Sequence, residues 1–129
     1  EVFSRIGLIP DAGGTHTLPR LVGTARAMAA AMLAEKISAQ QAQQWGMIWK
    51  CVDDDRLMHE AAALARQLAG QATRALGLTK RAIYASANNT FDQQLDLERD
   101  LQREAAKSED FREGVKAFME KRPAKFTGR

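Results

Sequence analysis

From residue 57 onward the apolar positions fall into helical stripes. Leu57, Ala61, Leu64 and Leu68 recur at i, i+4, i+7 and i+11, the face of a helix predicted over about residues 56–69. A second helix is expected over 72–89, with Leu76, Lys80, Ile83 and Ala87 spaced along it and Asn88-Asn89 at its end. Thr90 with Gln93 has the capping-box spacing and opens a third helix. Its apolar residues, Phe91, Leu95, Leu97 and Leu101, cover more than one stripe, which predicts two neighbours. Phe111, Val115 and Phe118 mark a last helix over about 108–121, expected to stop at Pro123.

The front of the chain is patterned differently. Val2 to Ile9 alternates loosely and reads as a strand or a short buried loop. Pro10-Asp11-Ala12-Gly13-Gly14 is a turn, and Thr15 is the expected N-cap of a short helix that Pro19 limits or opens. Thr24 is expected to cap "TARAMAAAMLAEK", whose small side chains predict close helix packing. Ser38 and Gln41 form another capping box, and Gly46 suits the position just past a helix end. "MIWKCVD" is expected to be a short strand. The pattern divides the chain into an α/β start, residues 1–55, and an all-helical region, residues 56–129. Helices with such broad apolar faces are expected to find partners in other chains, so a homo-oligomer is expected.

Composition narrows the class. With 129 residues, 45% of them apolar and 27% charged, the chain has the make-up of a soluble globular protein. No apolar run approaches the roughly 18–20 residues that span a bilayer, so no membrane partner is expected. "EVFSRIGLIP" lacks a basic region followed by a long apolar core and is not expected to be a signal peptide. It reads instead as the middle of an apolar element without an initiator Met. We therefore expect an N-terminal portion to be missing, in preference to a processed mature start. A single cysteine, Cys51, rules out an internal disulfide framework and makes the cytoplasm the default compartment.

Candidate chemistry is sparse. His16 and His59 form no ligand cluster with Cys51, and no metal is expected. Asp53, Asp54 and Asp55 could suggest a cation site, but they read more simply as anions at a helix N-terminus, favoured by roughly 0.3–1 kcal/mol each. Cys51 reads as a small apolar residue, and Trp45 and Trp49 as packing anchors. The net charge of +3 is concentrated in "KRPAKFTGR", which either meets the phosphates of a nucleotide-like group or is a solvated end. No basic stripe interleaved with aromatics is present, so no nucleic acid is expected. Asp11 remains, a lone carboxylate between an apolar segment and a glycine turn; it either ties the turn or moves a proton.

Three stretches in order, "IGLIPDAGGTHTLPRLVG", "ISAQQAQQWGMIWKCVDD" and "DFREGVKAFMEKRPAKF", resemble the crotonase superfamily, the enoyl-CoA hydratase/isomerases. The likeness runs over the whole chain and matches roughly the C-terminal half of a family member. "FSRIGLIPDAGGT" and "LDLERDLQREAAKSEDFREGV" are most similar to its epoxyphenylacetyl-CoA isomerase subgroup of phenylacetate catabolism. The resemblance implies that residues 1–55 end a crotonase β/α core and that residues 56–129 form a trimerisation-type region, in trimers or hexamers. It implies an acyl-CoA substrate and no separate cofactor, CoA being part of the substrate. It places Phe3 where classical hydratases carry their second glutamate, and Asp11 where hydratases commonly carry Gly and some isomerases an acid/base aspartate. It matches Phe118 and Lys121 to residues at the nucleotide end of CoA; without it, Phe118 reads as core and Lys121 as a helix-end cation. Both oxyanion-hole donors of the family lie upstream of these segments, so the isolated chain is expected to be inactive. The alternatives are an enoyl-CoA hydratase, or a non-catalytic helical self-association module.

Overall fold

A computed structural model describes residues 2–129. The chain divides into two units, Glu1–Arg56 and Leu57–Arg129. Among the described residues both are built from helices, and no strand is present. No described helix is long and apolar enough to cross a membrane.

In the first unit, Phe3–Ile6 form a 3-10 turn, followed by α1 (Gly14–Val22), α2 (Thr24–Leu33) and α3 (Ala39–Gln44). The α/β start is thus corrected. The segment expected as a strand or buried loop is a short helical turn that leaves Ile6 and Leu8 exposed. "MIWKCVD" is not a strand because its backbone donors are satisfied locally. Met47 N–H donates to Ala42 O at 2.9 Å, and Cys51 N–H donates to the Gln43 side chain. A strand needs a neighbour to accept those bonds.

Small side chains explain how α1 and α2 pack. Val22, Ala27 and Ala30 are buried, so the two helix backbones can approach closely. Two expected caps move by a residue or two. Gly13 at φ +81° is the N-cap of α1, and Thr15 lies inside the helix. Gly23 precedes α2, with Thr24 as its first residue. Pro19 sits within α1 rather than opening or ending it. Ser38 caps α3, accepting from Gln41 N–H at 3.1 Å. Gly46, at φ +74°, directs its N–H back to Gln43 O, the glycine-ended closure expected. Trp45 is half-buried with the Arg26 guanidinium 5.5 Å from its ring centre, whereas Trp49 is 78% exposed and anchors nothing within this unit.

The second unit holds α4 (Leu57–Ala69), α5 (Thr73–Ser86), α6 (Phe91–Ala105) and α7 (Glu109–Met119). α5 and α6 pack together and flank a groove lined by Leu78, Ala82, Leu95 and Leu101, of which Leu101 is buried. The Thr90 capping box forms in both directions, with Thr90 N–H donating to Gln93 Oε1 at 2.9 Å and Gln93 N–H to Thr90 Oγ1 at 3.3 Å. Thr90→Ala is expected to lower stability by about 1 kcal/mol in urea denaturation.

The last helix ends earlier than its sequence suggests. Ser108 is its N-cap, and its C-terminus is closed at Lys121 (φ +53°), two residues before Pro123. Lys121 N–H donates to Phe118 O at 3.2 Å and Arg122 N–H to Ala117 O at 3.0 Å, the Schellman pattern with lysine where glycine is usual. Pro123 therefore does not terminate the helix.

Candidate functional site

The turn that carries Asp11 is built from two consecutive left-handed residues. Ala12 has φ +50° and Gly13 φ +81°, and Gly14 N–H donates to Asp11 O at 2.8 Å. That is the backbone of a type I′ turn, which glycine adopts freely and alanine only at a cost of roughly 1–2 kcal/mol. The chain thus holds the residue after Asp11 in a strained conformation, and Asp11 enters the turn with its side chain exposed.

Beside the turn lies an apolar groove of about 470 Å³. Pro10 and Gly14 on either side of the turn line it, with Leu8, Leu18, Met28 and Met32. Asp11 stands between two lining residues without lining the groove itself. Of the apolar residues before the turn, Leu8 and Ile9 border the groove; Ile9 is also 79% exposed. Phe3 and Ile6 are not among the lining residues. Within this unit the carboxylate therefore lies at a rim open to solvent. His16 is exposed, and its backbone carbonyl accepts from the Arg20 guanidinium at 2.8 Å.

The second cluster stands at the end of α7. Phe118 is 83% exposed, which overturns its reading as a core residue of this unit. Lys121, also exposed, is joined to it by the 3.2 Å backbone hydrogen bond. An aromatic face and an ammonium are thus presented three residues apart from one helix terminus. Phe118 and Lys121 are brought together, while Asp11 belongs to the other unit.

Spacing gave no warning of what surrounds that terminus. Residues 122–129 fold back along α7. Arg122 makes a two-pronged pair with Glu113, at 2.7 and 3.0 Å, and its Nε donates to Glu120 at 2.6 Å. Lys125 N–H donates to Glu113 Oε1 at 2.8 Å. The Arg122 guanidinium, helped by that N–H, holds the Glu113 carboxyl well below the usual range, at about 2. Farther along, buried Asp110 accepts the N–H groups of Thr127 and Gly128 at 2.7 and 2.8 Å. The pairs Glu113–Arg122 and Asp110–Thr127 are separated by nine and seventeen residues, and neither matches a motif.

The strained turn beside an apolar groove belongs to the first unit, and the exposed aromatic and ammonium side chains at a helix end belong to the second. Comparison with known proteins gives the family. Residues 1–129 match the enoyl-CoA hydratase/isomerase family model. The chain is 58% identical over 127 residues to 1,2-epoxyphenylacetyl-CoA isomerase of Escherichia coli (strain K12), covering 98% of this chain and 48% of that protein. It is 51% identical over 129 residues to a protein named "Probable enoyl-CoA hydratase" from Rhodobacter capsulatus, covering 100% of this chain and 50% of the other. The crystal structure of enoyl-CoA hydratase subunit I from Geobacillus kaustophilus HTA426 superimposes with a TM-score of 0.95 at 34% identity, over 99% of this chain and 50% of that one. The chain belongs to the enoyl-CoA hydratase/isomerase family, the crotonase superfamily. It spans about half the length of the curated relatives it matches.

Proposed function

We propose that the protein is an acyl-CoA isomerase acting on 1,2-epoxyphenylacetyl-CoA, with Asp11 as acid/base and with Phe118 and Lys121 at the nucleotide end of CoA. The observation that carries this reading is the placement of Asp11. It is the carboxylate of a strained turn whose flanking residues line an apolar groove. The 58% identity to an enzyme named for this reaction supports the choice of substrate.

The chemistry asked of the site is proton transfer. The hydrogen α to a thioester is weakly acidic, and its removal places charge on the thioester oxygen. A carboxylate within reach of C2 takes that proton as the enolate forms, then returns it at another carbon while the ring or double bond rearranges. Phe3 cannot exchange protons, which argues against hydration through a second glutamate. At the other end, a ring such as that of Phe118 can stack on adenine, and an ammonium can pair with a phosphate.

The test is to assay the whole protein on epoxyphenylacetyl-CoA and on straight-chain enoyl-CoA. Isomerisation of the first without comparable hydration of the second is expected; efficient hydration would overturn the reading in favour of a hydratase. The isolated 129-residue chain is expected to turn over slowly or not at all, since losing even one oxyanion donor costs about 10²–10³ in rate. Full activity in the isolated chain would show that the donors lie within it.

Self-association is proposed alongside catalysis. Ile83, Tyr84, Phe91 and Phe111 of the second unit all stand exposed. Sedimentation should find an oligomer, and a stable monomer at micromolar concentration would count against it.

A further inference from the structure

Four basic residues follow α7, and their surroundings give them different work. Lys121, Arg122, Lys125 and Arg129 could all serve a phosphate on grounds of charge. Arg122 is already engaged. Its guanidinium meets both oxygens of Glu113, one oxygen of Glu120, and, at 3.1 Å, the carbonyl of Pro123. Its donors are thus taken up by carboxylates and a carbonyl of the protein itself, which makes it a poor seat for a further anion. Lys121, between Glu120 and Arg122, is exposed and lies in a left-handed conformation that lysine disfavours.

The two facts meet at one place in the backbone. The residues on either side of Lys121 are joined to each other through the guanidinium, and Arg122 is also fastened to α7 at Glu113. Residue 121 is therefore held from both sides. Lys125 N–H, on the same Glu113 oxygen as Arg122, extends the hold along the tail.

We propose that Arg122, gripped by Glu113 and Glu120, is a positioning residue for Lys121. It sets the affinity for CoA by fixing the backbone that carries the ammonium, and it does not itself touch the phosphates. The inference rests on the reading of Lys121 as the phosphate contact. It makes Glu113 and Glu120 part of CoA recognition although both are anions.

The experiment is a double-mutant cycle on CoA affinity, measured by isothermal titration calorimetry with the whole protein. Lys121→Met should weaken binding roughly tenfold, the order expected of a lost charge-assisted hydrogen bond. Arg122→Ala should weaken it about fivefold in the native background and leave it unchanged, within about 1.5-fold, in the Lys121→Met background. Arg122→Lys keeps the charge but loses the two-pronged pairing, and should weaken binding nearly as much as Arg122→Ala. Full affinity in Arg122→Lys would show that only charge matters and would overturn the proposal. Equal losses from Arg122→Ala in both backgrounds would do the same, because they would mean that Arg122 acts independently of Lys121. Unchanged affinity in Arg122→Ala, with Lys121→Met still weak, overturns the positioning role and leaves the phosphate contact standing. Unchanged affinity in Lys121→Met removes both. If Arg122→Ala does not fold, Glu113→Gln in the same cycle asks the same question with less loss of packing.

Discussion

In the whole protein, replacing Asp11, the proposed acid/base, with Asn should reduce turnover of epoxyphenylacetyl-CoA by about 10²–10⁴-fold, the range general acid–base groups supply. The affinity for CoA should stay within about twofold, since the groups proposed to hold CoA are elsewhere in the chain. The substitution isolates the proton. Asparagine keeps the size of the side chain and the preference for turns. Asp11 is exposed and its backbone carbonyl, which closes the turn onto Gly14, is unaltered. Stability should therefore change by less than about 0.5 kcal/mol. If Asp11 serves only the turn, Asp11→Asn would be nearly silent, and turnover within a few-fold of the unaltered protein would end its role as acid/base. Kinetics separate the cases further: loss in kcat with KM little changed marks an interaction made in the transition state.

What was legible in advance depended on how local its cause was. Helices after residue 57 announced themselves because their apolar spacing is a property of a few turns of chain. The Thr90–Gln93 and Ser38–Gln41 caps are three-residue effects and appear at the positions their spacing indicates. The expected strands failed for the opposite reason. An apolar, β-branched run such as "MIWKCVD" can pair only if another strand is beside it, and here its donors turn back to Ala42 and the Gln43 side chain. Left-handed residues were legible when they were glycine, as at Gly13 and Gly46, and hidden when they were Ala12, Ala34 and Lys121. The candidate site was readable in the same graded way. Pro10-Asp11 before paired glycines announces a turn, but the roles of Asp11, Phe118 and Lys121 came from resemblance. The Glu113–Arg122 pairing, depending on how the tail folds back, could not be read from spacing at all.

That fold-back is where the largest loss of stability is expected. Asp110 is only 3% exposed, and both its oxygens are occupied by the tail. Oδ1 accepts Thr127 N–H at 2.7 Å and the Thr127 hydroxyl at 3.4 Å, while Oδ2 accepts Gly128 N–H at 2.8 Å. Its own N–H donates to Arg129 O at 3.0 Å, and its place in the first turn of α7 suits a negative charge. Asp110→Ala removes the acceptors and leaves the partly buried N–H groups of Thr127 and Gly128 unpaired. Unpaired buried donors cost about 1–3 kcal/mol, so a loss of about 2–3 kcal/mol is expected in urea denaturation. Asp110→Asn, which retains one acceptor oxygen, should fall between the two. The exposed pair Arg103–Asp100, at 3.6 Å, supplies the contrast: Asp100→Ala should leave the urea midpoint nearly unchanged. If Asp110→Ala is no more costly than Asp100→Ala, the tail frays without loosening α7. The closure at Lys121 would then stand on its backbone hydrogen bonds and on Arg122 alone.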